Sequence, residues 1–185
     1  WRALSKKKMS GADIGTRLQT QMQKAYWDLL ETEASKKPLT DKTVDWVSRL
    51  YRELCERLAR LTPRRGDLHR ELEAAMDSDL LARQLRTAEG VPAADLRRAV
   101  EFIYGKLAAL CAPAQDRALR GDRAVLLGML DAGYEVSLGA FMVELLKRVH
   151  RAVGEIEDMI AQFRQNRQPS AGGAGSSFPM RTGRQ

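Results

Sequence analysis

Few side chains in this sequence could carry chemistry. They are two cysteines, Cys55 and Cys111, two histidines, His69 and His150, and two acidic runs, "DSD" at 77–79 and "EIED" at 155–158. Each would need company at short range, because a reactive thiol needs a cation or base beside it and zinc needs three or four ligands at set spacing. Neither histidine has a second ligand type at metal spacing, and no CxxC, HExxH, GxSxG or phosphate-cradling glycine loop occurs. His69, in a charged helical stretch, and His150, in "KRVHRAV", read as surface or partly packed groups. Asp77, Ser78 and Asp79 read as a helix cap, and "EIED" as a solvated face. Cys111 closes an apolar stripe shared with Leu107 and Leu110 and has no basic residue immediately beside it, which gives it a core role. The reading is a non-enzymatic protein with no catalytic residue, cofactor or metal ligand.

The elements that must position these groups are helices. Residues 11–34 place Ile14, Leu18, Met22, Ala25, Tyr26, Leu29 and Leu30 at three- and four-residue spacing, predicting one inward stripe on a helix that stops before Pro38. Thr40 is the expected N-cap of the next helix, with Asp41 in its first turn and Val44, Val47, Tyr51, Leu54, Leu58 and Leu61 along its inner face. A shorter helix follows "TPRRGD", with Leu68, Leu72 and Met76 on one side. Asp77 or Ser78 should cap another, for which Gly90 is the expected C′ residue.

Pro92 fits the first turn of a helix whose inner face is Leu96, Val100, Ile103, Leu107 and Leu110. "AQDRAL" reads as a short turn after Pro113. Asp122 then caps one long final segment to about Phe163, interrupted at most near Gly133 or Gly139. The expected fold is all-α, an irregular bundle of about six or seven helices with a long C-terminal helix. Its boundaries are a basic tail over 1–10, a helical domain over 11–163, and a Gly/Ser-rich basic tail over 164–185.

The net charge of +7 belongs to the tails. Arg2, Lys6, Lys7 and Lys8 at one end and Arg164, Arg167, Arg181 and Arg184 at the other stand among no acidic residue. The remaining 23 basic residues fall one short of the 24 acidic ones. No run of eighteen uncharged apolar residues predicts a membrane span, and two distant cysteines fit a reducing, cytoplasmic setting.

The stretch "LCAPAQD", Leu110 to Asp116, resembles the leucine-cysteine-alanine-proline-valine-arginine-aspartate signature of the T-complex protein 11 family. Three further stretches resemble that family in the right order: "AYWDLLETE" from Ala25, "AAMDSDLLARQ" from Ala74, and "MLDAGYEVSLGAF" from Met129. The sequence departs from the pattern at Gln115, where the signature has Arg, and at Ala140, often Asn in the family. The resemblance covers the N-terminal part of the family domain, which usually continues further.

It implies an all-helical, non-enzymatic protein tied to flagella, motility and cyclic-AMP-dependent kinase signalling through protein contacts. Cys111, Pro113, Asp116, Asp77 and Asp79 are then structural. Trp27, Trp46 and Tyr51 are candidates to anchor a cytoskeletal or axonemal partner, or else they complete the bundle's own core. The basic residues Lys6, Lys7, Lys8, Arg164, Arg167, Arg181 and Arg184 would lie on acidic partner surfaces. The alternative is a nucleic-acid or virion-interior binder working through the same tails.

Overall fold

The computed structural model describes residues 11–62, 65–87, 90–132 and 137–167. Seven helices form among them: α1 (Gly11–Ala34), α2 (Asp41–Leu61), α3 (Gly66–Ala75), α4 (Ser78–Arg86), α5 (Ala93–Leu110), α6 (Asp116–Asp131) and α7 (Leu138–Arg167). Helices α2 and α7 are the centre of the bundle. α7 is packed by α1, α2, α5 and α6, while α2 also carries α3 and α4. Their inner faces, Val44, Val47, Leu50, Leu54 and Leu58 against Phe141, Leu145, Leu146, Val149, Val153 and Ile156, are buried. Each such side chain stabilises the fold by roughly 1.5–3 kcal/mol through removal of apolar area from water.

Local chemistry sets most of the boundaries. The Thr40 hydroxyl accepts the Thr43 N–H at 3.2 Å, and the Asp77 carboxylate accepts the N–H groups of Asp79 and Leu80, both at 2.9 Å. Each cap satisfies donors that the first helical turn leaves unpaired. Those backbone donors, Leu80's first, hold the Asp77 carboxyl below its ordinary pKa. At the far end of α5 the Cys111 N–H closes on the Leu107 carbonyl at 2.9 Å. Gln115 and Asp116 then turn back onto Ala112 and Pro113. Cys111 is half-buried rather than deep in the core, with its Sγ 3.5 Å from the Ala108 carbonyl. Asp116 opens α6 and pairs with Arg120 one turn on.

The structure departs from the sequence expectations at several places. Leu18, Met22, Ala25 and Leu29 do not face inward: α7 takes the face of α1 that carries Trp27, Leu30 and Ala34 and leaves the other stripe in water. "AQDRAL" is no turn, since α6 begins within it. The interruption allowed for near Gly133 or Gly139 is present, since the chain leaves α6 at Asp131 and restarts at Leu138, with Gly133 outside the described residues. Asp122 is therefore no cap but a buried residue inside α6. Gly90 takes the left-handed conformation, φ 67°, but it lies beyond the C-cap Thr87 in a turn closed by Gly90 N–H to the Thr87 carbonyl at 3.2 Å. Pro92 stands one residue earlier than expected, as the N-cap residue of α5. At the other end α7 runs four residues past Phe163, to Arg167.

Gly139 fixes how α1 meets α7. A Cβ there would stand 2.1 Å from the Ala34 carbonyl oxygen, so only glycine lets the C-terminus of α1 cross the first turn of α7 so closely. From that crossing the two helices run antiparallel: the Trp27 and His150 rings lie 6.0 Å apart, and Gln23 and Gly154 line one hollow further along.

Candidate functional site

Consecutive aromatics on α1 point to different places. Trp27 is 8% exposed and faces the His150 ring, while Tyr26 meets the Trp46 ring edge-on at 5.1 Å and accepts the Trp46 Nε1–H at 2.5 Å. Tyr51 is buried in the core, where burial pushes its phenol up to about 12. Of the three aromatic anchors read from the sequence, Trp46 alone keeps part of its ring at the surface. It floors a hollow of about 720 Å³ together with Leu29, rimmed by Lys42, Asp45 and Arg49.

The apolar stripe that α7 leaves uncovered runs into this hollow. Leu18 is 56% exposed, Met22 65% and Leu29 54%, and with Ala25 they repeat at intervals of four, three and four residues. That is the a/d spacing with which one helix receives another. Six large apolar side chains are exposed among the described residues, and four of them, Leu18, Met22, Leu29 and Phe163, belong to α1 or the last turns of α7. A contiguous patch of this kind marks a contact surface more often than scattered single residues do. The sequence did contain the spacing. What it lacked was any sign of which of α1's two apolar faces α7 would choose.

The titratable groups are spent on joining helices. Arg57 of α2 grips Glu157 of α7 with two hydrogen bonds, Nε to Oε1 at 3.2 Å and Nη2 to Oε2 at 2.6 Å, and this contact first of all holds the Glu157 carboxyl below its ordinary pKa. Arg57 Nη1 also donates to His150 Nδ1 at 2.9 Å, which leaves His150 Nε2–H to donate to the Leu50 carbonyl at 3.2 Å. That arrangement requires the neutral ring, and burial first, then the adjacent Arg57, lowers the His150 pKa, with the Leu50 carbonyl, Glu53 and Glu157 opposing. Both ring nitrogens are occupied, so His150 has no free site with which to serve a substrate as a base.

A second junction lies between α6 and α7. Asp122 accepts from Arg148 Nη1 at 2.5 Å and from Arg151 Nη2 at 2.6 Å, and Arg148 Nε also reaches Glu144 at 2.6 Å. Both junctions join residues 26 to 100 positions apart, and neither has a sequence signature.

The remaining candidates are local. His69 Nε2 lies 2.9 Å from the Thr62 carbonyl, and Asp79 pairs with Arg52 at 2.9 Å. Burial first, then Glu73 and Glu56, pushes the Cys55 thiol up, away from the reactive thiolate. Among the described residues no three His, Cys, Asp or Glu side chains stand close enough to share a metal ion, and no helix is long and apolar enough to cross a membrane. Arg164 is exposed near the end of α7, and Arg167 closes that helix. Lys6, Lys7, Lys8, Arg181 and Arg184 lie outside the described residues.

The family model described as T-complex protein 11 matches residues 5–159. That span includes all four stretches that carry the resemblance, as well as both charged junctions. No solved structure matches the chain.

Proposed function

The chain belongs to the T-complex protein 11 family, and from that premise we propose that it is a helical adaptor that works by protein contacts within a larger intracellular assembly. The observation that carries this reading is the uncovered a/d stripe of α1, Leu18, Met22 and Leu29, beside the Trp46 hollow. A stable bundle leaves such a stripe in water at a cost, and covering it with a partner helix removes that cost. Family resemblance supports a flagellar or cytoskeletal assembly with a link to cyclic-AMP-dependent kinase signalling. In such an assembly the buried anchors supply most of the affinity, and the exposed basic residues of the tails steer association.

The test is affinity capture from the native cell with the full chain, beside a Met22→Asp/Leu29→Asp variant whose helix content is checked by circular dichroism. Cytoskeletal or axonemal proteins held by the native chain and released by the variant are the expected result. Equal capture by both would refute the docking face. Capture of nucleic acid alone, with a steep loss on raising salt, would favour the phosphate-binding reading of the tails.

A further inference from the structure

Helix α7 ends level with the start of α1, about two turns before the stripe begins at Leu18. Ala34 touches the backbone at Gly139, Trp27 faces His150, and Gln23 lines a hollow with Gly154 and Asp158, so the antiparallel register puts Arg167 level with the first turn of α1. From there Met22 lies roughly 16 Å along the helix axis, at 1.5 Å per residue. The chain beyond Arg167 runs through "QPSAGGAGSS" to "FPMRTGRQ", so that Phe178 stands eleven residues on. A glycine-rich stretch of that length spans roughly 17–20 Å on average and at most about 36 Å. Phe178 therefore reaches Met22 without strain and can also reach the Leu29–Trp46 hollow.

The chemistry on the two sides is complementary. Phe178, Pro179 and Met180 form the only apolar cluster after Arg167, and Arg181 and Arg184 follow with no acidic residue among them. On α1, Asp28 is three residues on from Ala25, on the flank of the stripe away from Trp46. It is exposed and in no ion pair among the described residues. A second copy of the chain is the weaker occupant. Four side chains over one and a half heptads fall short of the roughly 800 Å² per partner that a standard stable interface buries.

We propose that the C-terminal segment of this chain is the resident ligand of its own docking face. In this arrangement Phe178 and Met180 cover Met22 and Leu29, and Arg181 and Arg184 lie on the flank that carries Asp28. The segment thereby guards the face until a partner helix displaces it. Tethering makes this favourable even with weak contacts, because the short linker holds the segment at high effective concentration. The inference rests on the reading of α1's outer stripe as a docking face.

The test places a photo-cross-linker in the full chain by Phe178→p-benzoylphenylalanine. Irradiation should give adducts within one chain that join position 178 to residues 18–29, at a yield independent of protein concentration. Met22→Asp should lower that yield about tenfold, the loss expected when one apolar anchor is replaced by a charge. Arg181→Glu with Arg184→Glu should lower it too and leaves every described helix untouched, so it serves if Met22→Asp disturbs folding. Adducts between chains would assign the face to a second copy and overturn the proposal. Adducts mapped to other helices, or reaction with solvent alone, would overturn it as well. If the cross-link fails while Met22→Asp still abolishes capture of native partners, only the tail proposal falls. If neither measurement responds, the docking face itself is wrong.

Discussion

Replacing Asp122 with alanine tests the charged junction between α6 and α7 directly. Asp122 is 8% exposed and answers two guanidinium groups, so its removal strands positive charge between packed helices. Deleting one partner of a buried pair ordinarily costs about 3–5 kcal/mol. Two features of this site reduce that figure: Arg148 keeps Glu144 at 2.6 Å, and the Arg151 side chain is 58% exposed and recovers water. Asp122→Ala should then cost about 2–4 kcal/mol, whereas Arg151→Gln, which leaves Asp122 with Arg148, should cost about 1 kcal/mol or less.

At this chain length each kcal/mol moves the melting midpoint by roughly 2–4 °C. The first variant should therefore melt about 5–15 °C lower and the second within about 4 °C of the native chain. Circular dichroism through thermal and urea unfolding measures both, and an unchanged urea slope shows that the same surface is exposed. Asp122→Leu combined with Arg148→Met should recover part of the loss, because the Arg148 charge is then no longer stranded and Glu144, which loses its partner, is 26% exposed and reaches water. The reasoning fails if Asp122→Ala costs no more than Arg151→Gln, or if the double variant is less stable than Asp122→Ala.

Gly139→Ala should destabilise the bundle by about 1–3 kcal/mol, seen as a lower melting midpoint, because its Cβ would drive against the Ala34 carbonyl and Leu39. His150 should make stability pH-dependent in a definite direction. Its folded pKa lies below that of the unfolded chain, so the unfolded state takes up the proton first and stability falls as pH drops below about 6.5, levelling off beneath the folded value. His150→Gln should flatten that slope in urea titrations run between mildly acidic and neutral pH. Asp77→Ala should cost about 1 kcal/mol through the lost cap on α4. Asp77→Ser, which keeps an acceptor, should recover most of that loss in the same melts.

The amino-acid sequence by itself determined what depends on a few neighbouring residues. Three- and four-residue apolar spacing specified the helices, Thr40 and Asp77 capped α2 and α4, and the prolines at 38, 92 and 113 separated α1 from α2, α4 from α5 and α5 from α6. These are contacts within one turn, so the chain carries them wherever it sits. The four stretches that resemble the T-complex protein 11 family are legible for the same reason, each being a short run.

Tertiary structure decided everything that needs a partner from far along the chain. α1 has two apolar faces, and the choice between them was made by α7, whose Gly139 admits Ala34 and so draws Trp27 and Leu30 inward and leaves Met22 and Leu29 outside. Asp122 looks like a cap in its local setting and became a buried acceptor because Arg148 and Arg151 arrive from another helix. Arg57, His150 and Glu157 are ordinary charged-helix residues until α2 lies against α7, with about a hundred positions of chain between them. Helical periodicity records how much of a face is apolar, whereas which face is covered is settled only by the shape and charge of the helix that docks there.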